Sequence, residues 1–266
     1  MKNTTIIGII LGVMSVVLGM VFKHASLTAF LNPAAFMIII VGTIAAVTIA
    51  FPLDDLKKVP TLFKILFTQR PLPQRDELIK QFVEWASITR REGLLALEAK
   101  VDDIEDPFLK NGMRMIIDGN DQDLVRDVLL EDIGATEDRH KTGALIFSQA
   151  GTYAPTLGVL GAVVGLIAAL KDMSDIDKLG HAISAAFVAT LLGIFTGYVL
   201  WHPFANKLKR KSAVEVKQKR MMIEGILSVL EGEAPRVIEQ KLSSYLTMEE
   251  RKQITESGAG GLGKES

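Results

Sequence analysis

TGALIFSQAGTYAPTLGVLGAVVGLIAAL, from Thr142 to Leu170, runs 29 positions without a charged side chain. A membrane-crossing helix needs about 20 mostly apolar residues, so this stretch alone is long enough to span a bilayer. Three others resemble it. Asn3 to Phe22 and Ala25 to Leu53 carry no charge, and Leu179 to Asn206 is interrupted only by His181 and His202. Apolar residues make up 48% of the whole chain, an ordinary value for a soluble protein, so it is their clustering that points to a polytopic membrane protein. The first stretch reads as a retained helix and not a cleaved signal, because Lys23-His24 stand where small residues would mark a cleavage site.

The same composition excludes several chemistries. With no cysteine, disulfides, thiolate catalysis and cysteine-ligated metals are ruled out. His24, His140, His181 and His202 stand in no HExxH-like spacing, so neither a metal nor a cofactor is expected. A formal net charge of −1 provides no general attraction to nucleic acid. These residues assemble no catalytic constellation, and the chain is not expected to be an enzyme.

The connections between the apolar stretches are unequal. The expected organisation is two spans in residues 1–53, a polar helical insert over 54–141, and two further spans over 142–206. A helical tail over 207–256 and a glycine-rich, disordered end over 257–266 follow. Of the 30 Lys and Arg, 14 lie in the insert and 12 after Asn206, clustering beside the span ends at Lys57, Lys58, Arg139, Lys141, Lys207 and Lys209. By the positive-inside rule, insert and both termini are expected in the cytoplasm. Leu78, Phe82, Trp85, Ile88 and Leu95 recur at helical spacing in the insert. Phe108, Met115, Leu124, Val128 and Leu129 predict two shorter helices about the turn Asp118-Gly-Asn-Asp121. Val214, Met221, Ile223, Leu227 and Leu230 predict a long tail helix continuing the fourth span, with a break at Pro235 and a last helix over 237–246.

Small residues form rows: Gly8 and Gly12; Gly158, Gly161, Gly165 and Ala168; Ala185, Ala189, Gly193 and Gly197. Such rows let backbones approach, so the third and fourth spans are expected to pack tightly on each other, on further copies or on a partner. None of the four stretches contains Asp, Glu, Lys or Arg. An ion-driven machine needs an ionisable group at membrane depth, so in such a machine the titrating carboxylate must come from another polypeptide. What this chain has there is hydroxyls (Thr152, Thr156, Ser184, Thr190, Thr196), Tyr153, and Pro155 and Pro203. A membrane hydroxyl is usually satisfied by a carbonyl of its own helix. Each proline frees a carbonyl four residues earlier; Pro203 also reads as a helix end, and Pro155 as a kink or a helix start. In the insert, Arg90-Arg-Glu-Gly-Leu-Leu-Ala-Leu-Glu98 sets charges at both ends of an apolar patch, about 12 Å apart if helical throughout. It reads either as a partner contact or as a solvated face.

Across nearly the whole chain the sequence resembles the MotA-type stator subunits of the bacterial flagellar motor, within the MotA/TolQ/ExbB superfamily, and looks most like those of Gram-positive bacilli. The resemblance is carried by Asn32-Pro-Ala-Ala35, Arg90 to Glu98, Gly151-Thr-Tyr-Ala-Pro-Thr-Leu-Gly158, and Gly180 to Thr190 leading to His202-Pro203. It implies a homo-oligomer of five copies in the cell membrane around two MotB-like subunits, whose single membrane helix carries the missing aspartate. It implies that Arg90 and Glu98 engage the rotor protein FliG. Pro155 and Pro203 would couple ion passage to movement, and Thr156 and Thr190, with Pro155, would line the ion path. The transported ion is H+ by this likeness, with Na+ open, since both stator kinds share this architecture. An ExbB- or TolQ-like energising subunit is the alternative, but those typically have three spans and lack the Arg90-to-Glu98 patch. A membrane scaffold without ion flow explains the glycine rows but not the hydroxyls and prolines. The charge distribution makes a first prediction: a reporter at Asp121 reads cytoplasmic and one at Ser174 external, and finding both on one side would refute the four-span topology.

Overall fold

The computed structural model describes residues 4–24, 32–68, 73–171 and 176–251, and every regular element among them is helical. In chain order these are α1 (Thr4–Phe22), α2 (Pro33–Ala50), α3 (Leu53–Leu56), α4 (Val59–Phe67), α5 (Arg75–Glu92), α6 (Glu98–Asp102), α7 (Pro107–Ile117), α8 (Gln122–Leu170), α9 (Ile176–Leu230) and α10 (Pro235–Ser243). Four of them, α1, α2, α8 and α9, are long and apolar enough to cross a membrane, as the all-α polytopic reading requires. The chain forms two compact units, one from Met1–Arg70 and Arg139–Lys211, the other from Pro71–Asp138 and Ser212–Ser266.

In the first unit, α8 and α9 meet through backbone. A Cβ placed on Gly158 would lie 2.9 Å from the Ala189 carbonyl oxygen and 3.0 Å from the Gly193 Cα. One placed on Gly193 would lie 2.7 Å from the Ala154 carbonyl. Gly158 and Gly193 of the rows therefore meet within one chain, whereas the Cβ positions of Gly8 and Gly165 have no atom within 4 Å. Helix α2 starts at Asn32, whose side chain accepts from the Ala34 and Ala35 amides at 3.1 and 3.2 Å, with Pro33 in the first turn. That start seats Ala35 and Ile39 against Ala154 and Ala189. The short α4 turns Leu66 and Phe63 inward, where Phe63 packs edge to face on Phe147, Trp201 and Phe204 with centroids 5.1 to 6.4 Å apart.

The second unit has an ordinary apolar core. From α5 it takes Leu78, Ile79, Phe82, Trp85 and Ile88, and α10 adds Ile238 and Leu242. Phe82 presses on the bare backbone of Gly225, where a Cβ would stand 2.6 Å from the ring. Asp106 caps α7 by accepting from the Phe108 and Leu109 amides at 2.9 and 3.0 Å.

Several local expectations change. Only one short helix, α7, precedes the turn at Asp118–Asp121; the second is the beginning of α8, which continues to Leu170 through Pro155. Its inward face is Val125, Leu129 and Ile133, while Leu124 and Val128 are exposed. Leu95 is 71% exposed, because α5 ends at Glu92 and the chain passes Gly93 at φ +87° before it. Val214 is exposed too. The break after α9 comes at Gly232, and Pro235 begins α10. Neither Pro155 nor Pro203 starts or ends a helix: each lies inside a continuous one. The glycine-rich end over 257–266 lies outside the described residues.

Because the atoms opposing Gly193 are backbone, no rotamer change relieves a new side chain there. Gly193→Val is expected to cost at least the ~1–3 kcal/mol typical of overpacking. Detergent-extracted protein should lose its monodisperse size-exclusion peak, whereas Gly19→Val, with nothing within 4 Å of its Cβ position, should keep it. Equal behaviour of the two variants would contradict the close α8–α9 contact.

Candidate functional site

Pro155 sits in α8 and cannot donate to the Gly151 carbonyl. That carbonyl faces Gly197 of α9: a Cβ on Gly197 would lie 2.8 Å from the Gly151 oxygen and 2.8 Å from the Pro155 ring. Only a residue without a side chain lets the second helix cover the freed carbonyl so closely. Gly151 itself is seated on the His202 imidazole, with a Cβ position 2.8 Å from the ring. Immediately around these contacts α9 widens into a π-helical turn, Thr196–Trp201, which ends two residues before Pro203. A wider turn accommodates a ring that would otherwise crowd the preceding carbonyls, and such turns mark places where a helix departs from regular geometry. α2 carries a second π-turn at Met37–Val41.

Four of the threonine hydroxyls are satisfied by their own helices. Thr190 Oγ1 donates to the Ala186 carbonyl at 3.2 Å and is half-buried. Thr156 Oγ1 donates to the Tyr153 carbonyl at 2.7 Å and is exposed. Thr152 bonds Ser148 at 3.1 Å, and the buried Thr196 bonds Leu192 and Gly193 at 2.9 and 3.1 Å. In this chain alone, then, the hydroxyls are held by back-bonding. They keep a free lone pair for a further ligand but supply no proton-binding group. Among the described residues no cluster of three His, Asp or Glu is arranged to hold a metal.

Arg90 and Glu98 do not share one helix. Arg90 lies in the last turn of α5, Gly93 turns the chain, Leu94–Leu97 form a 3-10 turn, and Glu98 opens α6. The spacing of 12 Å expected for a continuous helix does not apply, because the positive φ at Gly93 ends the helix between them. Both side chains are exposed. The apolar residues between them are only partly a surface patch, since Leu97 is fully buried. Next to Glu98, Asp102 pairs with Arg114 at 2.7 Å and with Lys110 at 3.7 Å, and the Arg114 hydrogen bond and charge hold its carboxyl below the usual range.

With this geometry in view, the comparisons are specific. The model of the MotA/TolQ/ExbB proton channel family matches residues 100–221. Motility protein A of Bacillus subtilis is 61% identical over 264 residues, covering 99% of this chain and 98% of that one. The chain belongs to the MotA branch of this family. The structure of the flagellar MotAB stator complex from Bacillus subtilis includes a chain 62% identical to this one, with a TM-score of 0.90 over 95% of this chain and 99% of that one. The structure of C. jejuni MotAB matches at 32% identity and a TM-score of 0.88, over 93% and 97%.

Sequence reasoning about this MotA-family chain missed three features that surround its prolines. The ring cluster of Phe63, Phe147, Trp201 and Phe204 joins residues far apart in sequence. Both π-turns were invisible, because a one-residue widening leaves the apolar pattern unchanged. Thr43, buried and donating to the Ile39 carbonyl at 2.5 Å, lies next to the α2 π-turn, whose preceding Asn-Pro cap was the only available signal.

Proposed function

We propose that this chain is a stator subunit of a bacterial flagellar motor, forming with a MotB-type partner a membrane channel that turns ion flow into torque. The observation that carries this is the near full-length match to a chain of a MotAB stator complex, in a molecule whose four apolar stretches hold no Asp, Glu, Lys or Arg. A carboxylate at membrane depth is what ion-driven movement requires, and the partner supplies it. The further assignments are ours as well: H+ as the ion, five copies about two partner subunits, and both termini and the insert in the cytoplasm.

In this reading Thr190 and Thr156, already bonded to their own helices, offer their remaining lone pairs to the ion or its water near the partner's aspartate. Pro155 and Pro203 pass the resulting change along α8 and α9. Support for that role comes from Gly197, which holds the Pro155 ring and the carbonyl it frees against the π-turn that ends two residues before Pro203. Arg90 and Glu98, exposed on either side of the Gly93 turn, offer charges of opposite sign to FliG as separate contacts.

Three experiments test this. Thr190→Val removes a hydroxyl whose net hydrogen bond is worth about 1 kcal/mol, so the complex should assemble at normal abundance and yet lose most of its torque in tethered-cell rotation. Normal rotation would rule out a direct role for the hydroxyl. Arg90→Glu and Glu98→Lys should each impair swimming in soft agar without lowering membrane abundance, and a compensating reversal on FliG should restore it. Unimpaired single variants would leave both residues as solvated surface. Swimming speed that rises with external sodium would replace H+ by Na+.

A further inference from the structure

The basic stretch of α9 that follows its apolar span forms a site that the motor reading does not use. The uncharged stretch ends at Asn206, and Lys207, Lys209, Arg210 and Lys211 follow directly. Lys209 and Arg210 point into solvent, whereas Lys207 is half-buried and turns back along the helix. It lines a groove of about 420 Å³ between α1 and α9, together with Thr4, Thr5, Gly8, Val199 and Pro203. Its polar groups are the Lys207 ammonium, the Thr4 and Thr5 hydroxyls and the Tyr198 phenol, and the rest of its lining is apolar. Gly8 leaves the wall open, with no atom within 4 Å of its Cβ position.

The partners of Lys207 are few. Its ammonium donates to Thr5 Oγ1, and Thr5 in turn donates to the Leu66 carbonyl at 3.3 Å. No carboxylate among the described residues pairs with it, so two of its three protons and its full charge remain for a ligand. The neighbouring Lys211 is occupied differently, donating to the carbonyls of Ile65 and of Thr68 at the end of α4, the latter at 2.6 Å. A cation without a counter-ion, at the level where an apolar span meets water and at the head of an apolar groove between two membrane helices, matches one chemistry. We propose that the α1–α9 groove binds an anionic phospholipid. The headgroup phosphate rests on the Lys207 ammonium, which Thr5 holds in place, and on the Thr4 hydroxyl, and an acyl chain runs past Gly8 and Val199. Basic pockets between membrane helices are a recurrent way of holding such headgroups. The proposal stands apart from the motor reading, but Pro203 forms part of the groove wall, so the lipid would touch a residue to which that reading gives a coupling role.

The test uses the full chain assembled with its MotB-type partner, in nanodiscs of equal phosphatidylglycerol and phosphatidylcholine, re-extracted gently and counted for bound lipid by native mass spectrometry. The wild-type complex should retain phosphatidylglycerol over phosphatidylcholine by roughly fivefold, the size of one lysine's attraction to an anionic surface. Lys207→Gln should bring that ratio near unity, Lys207→Arg should preserve it, and Gly8→Leu should lower retention of both lipids by filling the wall. A wild-type ratio near unity, or an unchanged ratio in Lys207→Gln, overturns the proposal. Should Lys207→Gln fail to assemble, two measurements on folded protein still decide: the wild-type ratio, and disulfide crosslinking of a Gly8→Cys chain, which then carries the only cysteine. A crosslink between two copies through Gly8→Cys would mean that protein, not lipid, covers the groove.

Discussion

Bare backbone against bare backbone, where Gly158 of α8 meets Gly193 of α9, is the contact on which the membrane unit depends. Lipid tails are as apolar as the side chains they replace, so helices in a bilayer gain little from hydrophobicity and must rely on close van der Waals contact. The approach is limited by Cβ atoms, and here there are none: opposing carbonyls stand where a side chain would begin. The same crossing carries Ala154 and Ala189, on which α2 seats Ala35 and Ile39. It also brings Gly197 over Gly151 and Pro155.

That last consequence ties packing to mechanism. A proline inside a membrane helix leaves a carbonyl that water cannot reach, and such groups are tolerated where a neighbouring element covers them. Gly197 covers the Gly151 carbonyl, and just beyond it α9 runs as a π-turn up to Trp201. Trp201 lies in this turn and packs against all three small apolar clusters of the unit. Pro155 is therefore held in a close contact between two helices, while Pro203, two residues past the π-turn, is exposed on the wall of the α1–α9 groove.

Charge is divided as sharply as packing. The membrane stretches hold none, and the hydroxyls of Thr156 and Thr190 are bonded to their own helices. The cations gather where those stretches end, and the second unit presents Arg90 and Glu98 on either side of a turn. The carboxylate that an ion-driven machine needs at membrane depth is absent from these stretches.

The spans, the insert and the near absence of charge within the bilayer were legible in the sequence because they depend on composition over 20 or more residues, and the glycine rows because they repeat at helical spacing. The motif residues were legible as positions, but not as geometry. Whether Arg90 and Glu98 share a helix turned on one backbone angle at Gly93. Which face of α8 points inward, Val125 and Leu129 in place of Leu124 and Val128, is a rotation of one residue that a loosely amphipathic pattern does not specify. The aromatic cluster about Trp201, the cover that Gly197 gives to a proline-freed carbonyl, and the groove at Lys207 join residues from separate helices. One-dimensional patterns record what each helix prefers by itself, and only the packed fold decides which atoms meet.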